Sequence, residues 1–242
     1  MSEQGALLFA RYAYPPNELG YCGPAGAAAL LEQSSGRFHD EVRRRAPRFE
    51  GAWVYLQILA DAVGVADPLD QRVVEAYWVG NELLDRVDPV TFLAELTPRL
   101  KGQLGGPWTQ AGLSALSNHS FHVFEVYPWV RLLGNGSDTP AEVLDQCRIR
   151  CGEVLRVDGE RVAVRTRRLE WDGARLVHGE AREEAARWSV EGCALLDEIA
   201  AGDVVSLHWD WVCDRLQPAS VTWIESLEER QLARTNAWVV SQ

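Results

Sequence analysis

The sequence predicts an α+β protein: a helical N-terminal part, residues 1–138, followed by a smaller β-rich part closed by a helix, residues 139–242. Three observations predict it. From Pro24 to about Leu100 the apolar residues recur at three- and four-residue spacing, the period of helices with one face in a core. After Cys147 the pattern shortens to alternating runs, GEVLRV, RVAVRTRRLEW and ARLVHG, separated by Asp158-Gly159 and Asp172-Gly173, and Asp-Gly steps between such runs signal hairpins. From Ser220 to Trp238 helical spacing returns.

The expected helices of the first part are Pro24–Gln33, His39–Arg45, Ala52–Val63, Asp70–Leu84 and Pro89–Leu100. Proline in the opening turn presets helical φ for the first, and Asp67 or Asp70 can cap the fourth. Gly102–Gly112 reads as a loop. The aromatic stretch Asn118–Gly136 lacks clean alternation and is read as helical, and Thr139–Asp145 as a short helix opened by Ser137 or Asp138. A further strand, Val204–Cys213, follows the turn signal Gly202-Asp203. In one strand Val205, Leu207, Trp209, Trp211 and Cys213 share a face, and Ser206, His208 and Asp210 share the other with Val204 and Val212. That assignment puts Cys213 in the core and His208 on the more polar face, with Asp210 placed to orient its imidazole.

Composition narrows the function. The 242 residues are 47% hydrophobic and 24% charged, enough apolar material for one large or two small cores. A formal net charge of −11 disfavours binding to nucleic acid or an anionic membrane through phosphate contacts. The most apolar stretch, Trp53 to Ala66, is short and interrupted by Asp61, so no membrane span is expected. The N-terminus lacks the basic-then-apolar layout of a secretory signal, which places the protein in the cytoplasm. Five cysteines, Cys22, Cys147, Cys151, Cys193 and Cys213, are an odd number, and free thiols are expected.

Two ordered signatures in the last part carry a family resemblance. The run Cys147-Arg-Ile-Arg-Cys-Gly-Glu-Val154, followed by LRVDGERVAV, resembles the opening of the HypC/HupF family of [NiFe]-hydrogenase maturation chaperones. Gly202-Asp203-Val-Val-Ser-Leu-His208 resembles that family's second signature, and the closing Leu-, Glu- and Ala-rich helix also matches. The resemblance implies a small OB-like β-barrel with a C-terminal helix. It further implies that Cys147 and His208 handle iron carrying cyanide and carbon monoxide, with a hydrogenase large subunit or other maturation proteins as partners. A soft thiolate and an imidazole suit low-spin iron with strong-field ligands. Arg148 and Arg150 beside Cys147 are placed to favour its thiolate. Cys151 stands where the family usually has proline, and its spacing from Cys147 allows a two-thiol site. The interval from Cys147 to His208 is longer than in the family, and the charged stretch His178–Arg187 is where the extra length falls.

The first part has its own candidates. Tyr21-Cys22-Gly23-Pro24 before AGAAALLEQ resembles the nucleophile segment of papain-like peptidases, where a helix N-terminus favours a thiolate. His119 and His122 supply bases or ligands. Three readings follow for Cys22 with these histidines: a cysteine hydrolase, a metal or cofactor site, or a structural helix start with packed histidines. The glutamine that a hydrolase of this type carries upstream as oxyanion donor is absent, with Pro15, Pro16 and Asn17 there instead. The aromatics Tyr55, Tyr77, Trp78 and Tyr127 read as core.

Overall fold

The computed structural model describes residues 3–32, 37–100 and 107–241. It is a mixed α and β structure. The chain opens with α1 (Glu3–Glu18), which sequence periodicity does not announce because Pro15 and Pro16 stand inside it. Both fall in the last turn. Lacking N–H groups, they leave the carbonyls of Arg11 and Tyr12 without their usual donors four residues on. Ala6, Phe9, Tyr12 and Ala13 of α1 are fully buried. Gly5 permits that approach, since a Cβ there would stand 2.0 Å from the Leu69 carbonyl oxygen.

Helices α2 (Phe38–Arg45), α3 (Glu50–Val63), α4 (Gln71–Trp78) and α5 (Pro89–Leu96) follow. Gly64 ends α3 in the left-handed region, as C-terminal glycines do. Asp70 caps α4 by accepting from the Arg72 N–H. The helix expected over Asp70–Leu84 is shorter, because Gly80 at φ 104° turns the chain and only a single 3-10 turn, Leu84–Arg86, succeeds it. The helix expected over Pro24–Gln33 is not formed in its described part. Gly23 and Gly26, at φ 83° and 84°, interrupt it, leaving one 3-10 turn at Ala27–Leu30. Gln33, and residues 102–106 of the expected loop, lie outside the described residues.

The aromatic stretch is helical in pieces: α6 (His119–Phe121) widens into a π turn, His122–Val126, and a 3-10 turn, Pro128–Leu132, follows. Then α7 (Thr139–Cys147) leads into the sheet. Strand β1 (Arg150–Asp158) pairs with β2 (Arg161–Trp171), and β2 with β3 (Leu176–Arg187), through the two hairpins expected at the Asp-Gly steps. A small ladder joins β4 (Ser189–Val190) to β5 (Cys193–Ala194). Finally β6 (Val204–His208) pairs with both β1 and β7 (Trp211–Arg215). The five long strands run in the order β1-β2-β3-β7-β6. The step from β3 to β7 rests on one parallel bridge, Arg187 with Trp211.

The strand expected over Val204–Cys213 is therefore a hairpin. Trp209 and Asp210 form its two-residue turn, with Trp209 at φ 56°. Neither glycine nor asparagine marks the turn, so the alternation of apolar residues reads straight through it. The left-handed tryptophan is held from three sides: its N–H donates to the Gln146 carbonyl at 2.7 Å, its carbonyl accepts from Arg150 Nη2 at 2.7 Å, and its ring stacks on Tyr21 at 4.3 Å. Outliers of this kind persist only where the surroundings over-determine them.

The closing helix α8 (Pro218–Val240) packs over the π turn and β1. Buried Glu125 of that turn pairs with Arg234 of α8. The largest apolar cluster joins α1, α3 and α4 to Ile149, Trp211, Cys213, Ile224 and Leu227, so the helical residues and the sheet share a core. Among the described residues no helix is long and apolar enough to cross a membrane.

Candidate metal centre

Three buried side chains from distant parts of the chain meet where α6, α7 and β6 converge. One ligand atom each of His119, Cys147 and His208 lies within 4.8 Å of the others. Donors around a tetrahedral ion with bonds of about 2.0–2.3 Å stand roughly 3.5 Å apart, so the set needs only a small contraction to close on one.

Each donor is placed by a backbone feature. Asn118 caps α6 by accepting from Ser120 N–H, and its Nδ2 donates to the carbonyls of Ala76 and Tyr77, both at 2.8 Å. This ties the start of α6 to the end of α4. Cys147 is the last residue of α7, where a helix leaves its carbonyls without intrahelical donors. His119 Nε2 takes that role by donating to the Cys147 carbonyl at 2.8 Å. Its Nδ1 is then the basic nitrogen, 3.4 Å from the Tyr77 hydroxyl.

His208, at the end of β6, is fully buried rather than on a polar face. Asp210 does not orient it, because the turn at Trp209 carries Asp210 outward to pair with Arg187. The carbonyl of Tyr12 does so instead, accepting from His208 Nδ1 at 2.7 Å. That carbonyl is free because the residue four places on is Pro16. The bond assigns the proton to Nδ1 and leaves Nε2 with its lone pair. His208 Nε2 makes no hydrogen bond, although it is buried. The Cys147 carbonyl lies near enough to favour a charged ring slightly, without forming a bond of good geometry.

The three donors sit on the floor of a cavity of about 590 Å³ that Cys22 and His122 also line. Five of the six expected ligands therefore share one cavity. Cys151 is the exception: it lines a second cavity with Thr166, His178 and Glu228. The helix stops at Cys147 and the strand starts at Arg150, so neither period carries across the pair, and the two-thiol site with Cys147 is not formed. Tyr77 and Trp78 are core residues that also line the cavity, and Tyr127, expected in the core, is half-buried and lines it with them. Trp78 packs on both imidazoles, at 4.6 Å from His119 and 5.6 Å from His208. Arg48, Glu50 and Arg131 line its exposed rim. Their isolated positions in the sequence carry no motif that signals this.

The electrostatics favour neutral donors. Burial pushes His119 down to about 4 and His122 to about 3, and it holds His208 well below the ordinary imidazole value. Burial, and then the nearby Cys22, push the Cys147 thiol up. Arg148 and Arg150 do not counter this, because their guanidinium groups point to Asp145, Glu228 and Glu184. Cys22 is pushed up to about 12 by burial, and no α-helix begins after it to favour a thiolate. Among the described residues no hydrogen bond joins Cys22 Sγ to a histidine. Neutral imidazoles and a thiol that ionises only against a cation make a better metal-ligand set than a thiolate–imidazolium pair.

The chain belongs to DUF6390, a family of unknown function, which it matches over residues 1–242. No curated protein and no solved structure matches it.

Proposed function

We propose that this DUF6390 protein holds a transition-metal ion on His119, Cys147 and His208, and that iron bearing cyanide and carbon monoxide is its cargo in the assembly of a [NiFe] hydrogenase. The observation that carries the metal reading is His208 Nε2. It is a buried, unpartnered lone pair whose tautomer is set from the far side of the ring, on a residue that clusters with a second imidazole and a thiol. Leaving such a nitrogen without a partner costs about 1–3 kcal/mol, a cost that a metal bond removes.

The hydrogenase reading comes from the resemblance to the HypC/HupF family at Cys147 and His208. It gains support from the meeting of those two residues, separated in sequence by five strands, in one donor set. The two Asp-Gly hairpins, the β6–β7 hairpin and the terminal helix also suit an OB-like barrel of that family's kind. An imidazole and thiolate set accepts iron with strong-field ligands, and the cavity has room for small diatomic ligands beside the ion. The client is the hydrogenase large subunit or another maturation protein, with the cytoplasm as the site of assembly.

The test is anaerobic purification from a host expressing the hydrogenase operon, with metal analysis and infrared spectra over the cyanide and carbonyl stretching region. About one iron per chain with bands from both ligands, lost in Cys147→Ala, is the expected result. Metal without those bands would leave the donor set standing and remove the hydrogenase cargo. Metal-free protein in every case would remove both.

The orienting carbonyl gives a second expectation. In Pro16→Ala the new N–H competes for the Tyr12 carbonyl, and the His208 tautomer is no longer enforced. Metal affinity falls about tenfold, the scale seen when outer partners of metal-binding histidines are lost. Competition titration against a chromophoric chelator measures it. An unchanged affinity would show that the Tyr12 carbonyl does not set the ligand nitrogen.

A further inference from the structure

The three donors are almost closed to solvent, and a fourth metal-binding group, more exposed than they are, lines the same cavity. Cys22 lines the same cavity as the three donors. It is half-buried, whereas His119, Cys147 and His208 are 5%, 6% and 0% exposed. It is not one of the mutually adjacent donors.

The loop that carries it is pinned. Asn17 Nδ2 donates to the carbonyls of Cys22 and Pro24, both at 2.8 Å. The Cys22 N–H reaches the Pro16 carbonyl at 3.4 Å. Gly23 has φ 83° and packs so closely on Phe49 that a Cβ would stand 2.3 Å from the ring. Only glycine fits there. The backbone that carries the thiol is thus held in one conformation beside the cavity.

An ion entering from water faces a steep penalty, since charge moved to a low-dielectric floor loses its hydration before it gains its ligands. Arg48 on the exposed rim opposes a free cation, and among the described lining residues Glu50 is the only carboxylate. A thiolate bound at the mouth replaces part of the hydration shell and lowers the charge that has to be buried.

We propose that Cys22 is the entry ligand of this site: it captures a soft or borderline divalent transition-metal ion at the cavity mouth and passes it by ligand exchange to Cys147. The inference rests on the metal-holding reading above and adds the route by which the site is filled. In the first step the Cys22 thiol gives its proton to water and the sulfur bonds to the ion. In the second the Cys147 sulfur bonds to the ion as the bond to the Cys22 sulfur breaks. The Cys147 proton passes to the departing Cys22 sulfur, which leaves a thiol at the mouth again. No electrons are transferred, and the net change is one proton released for one ion bound. His119 and His208 complete the coordination on the floor.

The experiment mixes metal-free protein with cobalt(II) in a stopped-flow spectrometer and follows the sulfur-to-cobalt charge-transfer band in wild type, Cys22→Ser, Cys22→Ala and Cys147→Ser. Circular dichroism establishes that each variant is folded, and the two substitutions at Cys22 guard against failure of either one. The wild type develops the band. Both Cys22 variants reach a comparable plateau about tenfold more slowly, a change on the scale that outer groups exert on metal sites. Cys147→Ser gives at most a transient band.

Unchanged loading rates in the Cys22 variants would overturn the inference and leave the donor set intact. Loss of the plateau in those variants would also overturn it, making Cys22 a resident ligand. A wild type without the band would remove the metal-holding reading, and the entry route with it.

Discussion

Acidification from pH 7 towards 4 destabilises the metal-free protein, and its denaturation midpoint falls at each step. His119, His122 and His208 are buried as neutral rings, with burial lowering the first to about 4, the second to about 3 and the third well below 6.5. In the unfolded chain all three take up protons near pH 6.5. Below that pH, and above the folded values, the unfolded state binds protons that the folded state refuses, so stability is lost as pH falls. Each such ring contributes about 1.4 kcal/mol per pH unit, and three together up to about 4 kcal/mol per unit.

Buried carboxyls act in the opposite direction. Burial holds Glu125, Asp214 and Glu228 above the ordinary carboxylate value, so their cost as buried anions is relieved as they protonate. The net slope is therefore smaller than the histidine sum and keeps its sign while those carboxyls stay ionised. Urea titrations at pH 7, 6 and 5 measure it. A level midpoint across that range would show that the imidazoles are already charged or exposed, and the neutral-ligand description would fall.

Arg148→Ala is expected to destabilise the protein by about 3–5 kcal/mol, as does the loss of one partner from other buried ion pairs. Arg148 is 3% exposed, and Asp145 and Glu228 are 2% and 8% exposed. Its guanidinium donates to both carboxylates and to the Arg167 carbonyl. The substitution leaves two buried carboxylates facing each other. Their remaining partners, the Arg168 guanidinium near Asp145 and the His178 imidazole near Glu228, stand 3.9 Å away. The same group ties α7, β2 and α8 together one residue after Cys147, so loss of metal affinity accompanies loss of stability. Adding Glu228→Gln removes one stranded charge and recovers part of the loss. An unfolding free energy within about 0.5 kcal/mol of wild type, the range of ordinary surface substitutions, would refute the buried-triad account.

Much of the architecture is determined by local sequence. The three- and four-residue spacing places α2, α3, α4 and α5, and the Asp-Gly steps place the hairpins of β1, β2 and β3, because a side chain's face follows directly from backbone period. The closing helix is equally local. Five of the six residues singled out from the sequence line one cavity, and they could be singled out because cysteine and histidine are rare here and their chemistry is intrinsic to the side chain.

Tertiary structure decided the rest, where local pattern and packing disagree. Helix α1 forms across two prolines because its apolar face is buried along its length and only the last turn loses bonds. The helix expected after Cys22 fails because Gly23 and Gly26 sit in left-handed conformations that Phe49 and the Asn17 bonds hold. The turn at Trp209 is invisible to alternation, and it alone moves His208 inward and Asp210 outward. Which nitrogen of His208 is free depends on a contact between residues nearly two hundred positions apart, and that Cys147 rather than Cys151 meets it depends on where α7 ends and β1 begins. Spacing along the chain specifies only which residues share a local face. The cluster forms where α6, α7 and β6 converge, and α1 orients His208 through a carbonyl that Pro16 leaves free.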